Sequence, residues 1–509
     1  MIDPVQRVWR KRIGWFIMSM QTVHAPLTAE PVGREELERI LALQRAAYLA
    51  EGVASAAVRR SRIDRLNLAV LEHADELAEA LTEDYGQRPL TLTKAFDVLG
   101  WVGDAADVYG NLEKWMEPTE LDGAFIQQKP LGVVGVIGAW NFPMNLTVEP
   151  AMAVLAAGNR VMIKFPDFHV RTGRVFKKAV AEYLAEDEVA VVLGDLDTAR
   201  AFSDLQLDKI IFTGSPSIGK QVAVAAARNL VPVALELGGK NPVVVARDAD
   251  LALAAKRIAG SRLMNGGQVC LCPDYVFVPR EVADDFVNRV IVEMNTFFPD
   301  YVDHPGVVSI VNDRNFDRVV GLIDDAVSKG ARKIVAVNDA EAGLLPSRET
   351  RRIAPTVLLD VPAEATISSE EVFGPVLSVY LYDDLDEVIR YINTRPSPLA
   401  AYYYGEDSDE FRHFLEFTTS GGVCRNDGIL HATVVGANFG GVGNSGSGSY
   451  HGKPGFDEFT HRRTVATGDP NVGLTDGLVG GVLASPEMIE GMNQGVAGLI
   501  AMIRGRLDA

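Results

Sequence analysis

The chain has 509 residues, too many for one ordinary core, and its 47% hydrophobic and 23% charged make-up is that of a folded protein rather than a disordered one. A formal net charge of -19 leaves no basic excess to neutralise phosphates, which excludes a general nucleic-acid binder. Three cysteines cannot build a disulfide framework, so the expected compartment is reducing and cytoplasmic.

Residues 1–29 read as a leader. Arg7, Arg10, Lys11 and Arg12 precede a short apolar run at 13–18, but the run is too short for a signal peptide and no small-residue cleavage site follows. Met18 and Met20 are alternative starts. Apolar residues recur at three-to-four spacing across 33–86, predicting helices that end at Gly86, and again across 93–116. Between 131 and 239, short apolar runs at 133–139, 160–165, 189–193, 209–212 and 232–237 alternate with helical stretches at 144–157, 171–184 and 218–229. Such alternation predicts an α/β fold with a parallel sheet covered on both faces, and ligands at the carboxyl ends of its strands.

Residues 240–420 alternate less regularly. Strands are expected at 275–278, 334–337, 375–381 and 400–404, and helices near 281–295, 313–329, 384–393 and 408–417. A glycine-rich stretch at 440–455 and a tail follow, with no repeat of fixed period. In the tail, Ser485, Pro486 and Glu487 make a helix start, and Met488, Met492, Val496, Leu499, Ile500 and Ile503 form one apolar stripe. Only Arg504 and Arg506 are basic there, so packing on its own subunit or a partner is favoured over a lid or a membrane-surface contact. No stretch has the uninterrupted apolar length that spans a bilayer.

Three loops carry chemistry. Asn265-Gly-Gly-Gln-Val-Cys270 sets a thiol on backbone that can bend sharply. Most free cysteines are small buried hydrophobes, and Cys272 and Cys424 are read so; for Cys270 the loop alone leaves both readings open. Val233-Ala-Leu-Glu236-Leu-Gly-Gly-Lys240 puts a carboxylate at a strand end, where an apolar pocket would raise its pKa and make it a general base. Trp140-Asn141-Phe142-Pro143 offers an amide that can donate to an oxyanion, or cap the next helix.

With GAWNFP, IKFPD, FTGSPSIG, LELGGKNP, NGGQVC, EEVFGPV and FGGVGNSGSG in this order, the chain resembles the aldehyde dehydrogenase superfamily over roughly residues 35–467. The ending GSGSYHGKPGFDEFTHRR resembles the class 3 and coniferyl aldehyde dehydrogenase branch. The resemblance implies oxidation of an aromatic or medium-chain aliphatic aldehyde to its acid with NAD, NADP also being admitted. Cys270 would be the nucleophile, passing through a thiohemiacetal and a thioester, Glu236 the base, and Asn141 the oxyanion donor with the Cys270 N–H. Lys164, Asp167 and the loop with Gly214, Ser215 and Gly219 would hold the adenosine half of the cofactor, and Glu371 and Phe373 the nicotinamide half. It also implies an aldehyde dehydrogenase-like fold with a Rossmann-like cofactor domain (30–110 and 133–235), a catalytic domain (236–425), a bridging arm (111–132 and 430–467) that dimerises the chain, and a tail (468–509).

Two departures bear on specificity. The family's Lys-Pro-Ser-Glu is Lys164-Phe-Pro-Asp167 here, an acid one methylene shorter that should still repel a 2′-phosphate. Its Leu-Pro-Phe is Ala437-Asn438-Phe439, next to the substrate wall. The GxGxxG match at 441–446 lacks a leading strand and a following helix, and is read as a loop. His451 has no acid or metal ligand at a telling spacing and is expected to be structural; no metal is expected. The rival readings are a catalytically inactive member and a cofactor-independent thioester-forming one.

Overall fold

The computed structural model describes residues 29–469, 473–483 and 485–508, so residues 1–28 of the leader lie outside the described residues. The described chain forms two compact units, one holding Pro130–Thr460 with the chain up to Trp115, the other Met116–Lys129 with the chain from His461 onward.

The larger unit is built on two sheets. Buried runs of β-branched residues form Val133–Ile137, Arg160–Lys164, Val189–Val192, Lys209–Gly214 and Val233–Leu237, all parallel. Val133–Ile137 lies in the middle, with the next two strands in sequence on one side and the last two on the other. The strand order reverses there, and in such sheets the crevice beyond the carboxyl ends at the reversal receives a ligand. Helix Arg34–Glu51 covers one face through Leu37, Ile40 and Leu41, which pack with Val133, Met162, Ile210 and Phe212. The sixth strand, Gly446–Ser447, comes from far along the chain and pairs antiparallel with Val233–Leu237.

The second sheet has seven strands in the order Arg332–Val335, Thr356–Leu359, Val376–Tyr382, Pro273–Pro279, Asn241–Val245, Ala400–Tyr404 and Gly422–Arg425. Only Arg332–Val335 runs antiparallel to its neighbour. Tyr275, Phe277, Tyr403 and Phe414 build the core on one side of it.

Some expectations shift. The 33–86 stretch is three helices, Arg34–Glu51, Ala56–Leu71 and Ala74–Tyr85. The 93–116 stretch breaks into a wide turn of helix at Thr93–Val98 and a regular helix at Val102–Met116. Asp97, in the first of these, turns a buried carboxylate inward and accepts from Arg88 and the Met144 N–H. Residues 430–460 stay with the larger unit, held by the Gly446–Ser447 pairing.

In the smaller unit Ala124–Pro130 pairs antiparallel with Thr119–Leu121 and also neighbours Thr460–Ala466. The tail helix runs Ile489–Leu507, after a short turn at Pro486–Met488, and none of its residues is buried. Met492, Val496, Leu499, Ile500 and Ile503 are 41–57% exposed. Among the described residues no helix is long and apolar enough to cross a membrane.

Candidate active site

The site gathers at the carboxyl ends of the first sheet. Glu236 ends the Val233–Leu237 strand, and the glycine-rich return passes directly over it: a Cβ at Gly440 would lie 3.2 Å from its Oε1 and 2.2 Å from the Gly448 carbonyl oxygen. Only a glycine lets two backbones and a carboxylate approach that closely. Glu236 is 3% exposed, and neither carboxylate oxygen has a hydrogen-bond partner among the described residues. Burial, with a smaller push from Glu458, holds its pKa well above the ordinary carboxylate range.

Cys270 follows a turn in which Asn265, Gly266 and Gly267 are all left-handed, with φ of 51°, 65° and 76°. Two glycines and an asparagine are the residue types that adopt this at least cost. Cys270 is half-buried, whereas Cys272 is fully buried and its thiol donates to the Ser261 carbonyl at 3.0 Å. Burial first, then the carboxylates of Glu371 and Glu236, push the Cys270 thiol up, while its own N–H favours the thiolate. Cys270, Glu236 and Glu371 are thus close enough in the fold for their charges to interact. Asn141 joins them through its side-chain amide, which donates to the Gln268 carbonyl at 3.1 Å.

Glu371 lies against the other side of the base loop, where a Cβ at Gly238 would fall 2.3 Å from its Oε2. Burial, then Asp274, raise its pKa to about 8, against the N–H of Gly239 and the charge of Arg318. Arg318 also donates to the Glu371 and Val372 carbonyls at 3.0 and 2.7 Å, and the Val372 N–H donates to Asp274 at 2.9 Å. Phe373 is left-handed at φ 47° and meets Trp140 edge-on at 5.3 Å. A bulky residue held there marks backbone fixed by its surroundings.

The expected cofactor residues line the same edge. Lys164 is 1% exposed at a strand end, donates to the carbonyls of Phe165 at 2.8 Å and Gly194 at 3.2 Å, and pairs with Asp167. Ser215 caps the twelve-residue helix Pro216–Ala227, accepting from the Ile218 N–H at 3.4 Å. Gly214 precedes it, and Gly219 lets the helix pack on the sheet, since a Cβ there would meet Leu237 at 2.7 Å. Ser215 and Ser217 are exposed at the helix N-terminus, which therefore offers N–H groups and positive dipole to an anion. The exposed N-terminus of this helix suits the pyrophosphate of a dinucleotide.

His451 departs from expectation, because the fold supplies acids that sequence spacing hid. Its Nδ1 lies 3.4 Å from Asp104 and its Nε2 3.3 Å from Glu149. Burial opposes its charge, yet Glu149 and Asp104 raise its pKa. The ligand atoms of Asp104, Glu149 and His451 lie within 4.8 Å of one another. The 441–446 stretch forms a tight turn at Gly443–Ser445 and enters the edge strand.

The comparisons agree with this geometry. Residues 21–465 match the model of the "Aldehyde dehydrogenase family". The chain belongs to that family. It is thus an NAD(P)-dependent oxidoreductase of the kind that oxidises aldehydes to acids. It is 43% identical over 437 residues to a probable coniferyl aldehyde dehydrogenase of Caulobacter vibrioides, covering 84% of this chain and 90% of that one. It is 36% identical over 416 residues to the dimeric NADP-preferring aldehyde dehydrogenase of Mus musculus, covering 80% and 89%. Among solved structures it resembles the Mycobacterium tuberculosis aldehyde dehydrogenase complexed with NAD+, at a TM-score of 0.77 and 27% identity, covering 87% and 93%.

Residues that sequence reading passed over are Arg88, Asp97 and Tyr85, all fully buried beside the Asn141 loop. Arg88 sits in a polar turn after Gly86, and nothing in its spacing marks it.

Proposed function

We propose that the chain oxidises an aromatic or medium-chain aliphatic aldehyde through a thioester on Cys270, as a cytoplasmic homodimer that prefers NAD+. One observation carries this reading: the Cys270 thiol lies within electrostatic reach of a carboxylate, Glu236, that is 3% exposed and has no hydrogen-bond partner among the described residues. A structural glutamate would be paired; an unpaired one whose pKa is raised by burial is suited to moving a proton. The similarity to a probable coniferyl aldehyde dehydrogenase supports an aromatic substrate.

In this mechanism the Cys270 thiol gives its proton to Glu236, which releases it to solvent, as the sulfur attacks the aldehyde carbon. The Asn141 amide and the Cys270 N–H donate to the oxygen as it becomes negative, which lowers the barrier. The bound nicotinamide supplies the hydride acceptor. Lys164, Asp167 and the 214–219 loop would hold its adenosine half, and Glu371 and Phe373 its nicotinamide half. Glu236 then takes a proton from water as that water attacks the thioester, and the acid leaves with the thiol restored. Asp167, close to Lys164, disfavours a 2′-phosphate and so favours NAD+ over NADP+.

The test is NADH formation across aldehydes graded in length and aromaticity, with NAD+ and NADP+ in parallel. Turnover of aromatic or medium-chain aldehydes is expected. Failure of all of them, with the protein folded and binding NAD+, overturns the proposal.

A further inference from the structure

Arg88 is fully buried, as is its partner Asp97, with Nη2 to Oδ2 at 2.5 Å. The guanidinium lies between two aromatic rings, 5.0 Å from the centroid of Tyr85 and 5.0 Å from that of Phe142. Its Nη1 donates to the Asn141 carbonyl at 2.8 Å and to Asn265 Oδ1 at 3.1 Å, and its Nε donates to Thr93 at 3.2 Å. The Asn141 carbonyl also receives Asn265 Nδ2 at 3.1 Å and the Tyr85 hydroxyl at 3.2 Å.

Asn265 sends the same Nδ2 to the Gln268 carbonyl at 3.3 Å, the carbonyl that the Asn141 amide also reaches. Asp97, with its other oxygen, accepts the Met144 N–H at 3.1 Å. Arg88 therefore joins the loop carrying Asn141 to the loop carrying Cys270 through one buried charge.

Stability alone does not explain this arrangement. Burying an ion pair costs desolvation that its attraction only about offsets, and apolar side chains of similar volume fill such space as well or better. What the pair supplies is geometry, since a planar fork of donors fixes several acceptors at once.

We infer that Arg88, held by Asp97, is the positioning residue of the oxyanion site: it fixes the Asn141 peptide and Asn265 so that the Asn141 amide and the Cys270 N–H converge on one oxygen. This rests on the thioester reading above. Arg88 touches neither substrate nor cofactor and acts only through Asn141 and Asn265.

The experiment is a double-mutant cycle of Arg88→Lys and Asn141→Ala, reading NADH formation in steady state and in a single turnover. Melting temperature and NAD+ binding report folding. Lysine keeps the charge and loses the fork. In the wild-type background Arg88→Lys is expected to lower kcat by about tenfold or more, as loss of an oxyanion donor does, with NAD+ affinity unchanged. In the Asn141→Ala background it should lower kcat by clearly less than in the wild-type background, because one of the two donors it positions is gone.

An equal loss in both backgrounds, or wild-type kcat in Arg88→Lys, overturns the inference. If Arg88→Lys does not fold, Asp97→Asn enters the same cycle with the same two outcomes. A wild type that forms no NADH from any aldehyde, or an Asn141→Ala variant with full activity, defeats the thioester reading instead.

Discussion

Glu236→Gln separates the chemistry from the fold more cleanly than any other single change. The amide is the same size as the acid, so it fits beneath the glycine-rich strand where a Cβ at Gly440 would already stand 3.2 Å from the carboxylate. It breaks no protein hydrogen bond, because neither oxygen of Glu236 has a partner. Stability should not fall. A carboxyl whose folded pKa is raised stabilises fully below its unfolded value near 4.5, and that contribution is lost as pH rises towards the folded pKa. Glutamine does not ionise, so at neutral pH the variant should be at least as stable as the wild type.

Activity is the contrast. A general base contributes ~10²–10⁴-fold, so the variant should lose about 3–5 kcal/mol of barrier lowering in thioester hydrolysis. The wild-type deacylation rate should climb with pH through a pKa well above the ordinary carboxylate range, and the variant should lack that limb. The assay is turnover against pH, with mass spectrometry of the stopped reaction. An acyl adduct on Cys270 should accumulate in the variant. Near-wild-type turnover without an adduct would refute the role.

Other outcomes follow from neighbouring residues. Cys270→Ala should abolish NADH formation and leave NAD+ binding intact, while Cys272→Ala, losing one thiol hydrogen bond, should cost only about 1 kcal/mol of stability and keep activity, as melting curves and turnover would show. The wild type should show a higher kcat/KM with NAD+ than with NADP+, and Asp167→Ala should narrow the gap; equal efficiency in the wild type would remove Asp167 from cofactor choice. Truncation after residue 467 removes a helix with no buried residue, so size-exclusion chromatography should show a changed oligomeric state without loss of chemistry. Unchanged size with gained activity on bulky aldehydes would make the tail a lid.

The cofactor sheet was legible because its strands are short, apolar and separated by helices, a pattern that alternation alone exposes. Asn241–Val245 was not assigned as a strand, since it begins inside a glycine loop that reads as motif. Gly446–Ser447 has no alternation to read at two residues long, and it pairs only because Val233–Leu237 offers an edge. The loops of Cys270, Glu236 and Asn141 stood out by composition. Arg88 and Asp97 did not, because a buried ion pair looks like solvent-facing polarity until the fold closes over it. His451 was similarly hidden: its two acids come from the Val102–Met116 and Asn145–Ala156 helices, and no local spacing announces them.

The late return of Gly446–Ser447 to the first sheet has a consequence for the order in which this molecule matures. Until residues 440–447 arrive, Val233–Leu237 is an open edge and Glu236 stands in water with an ordinary carboxylate pKa. A nascent chain that has folded everything before them would already carry the thiol and the cofactor edge, but its base would be tuned as any surface glutamate is. The pairing that buries Glu236 thus joins residues far apart in the sequence, and the burial that raises its pKa forms only once most of the chain is present.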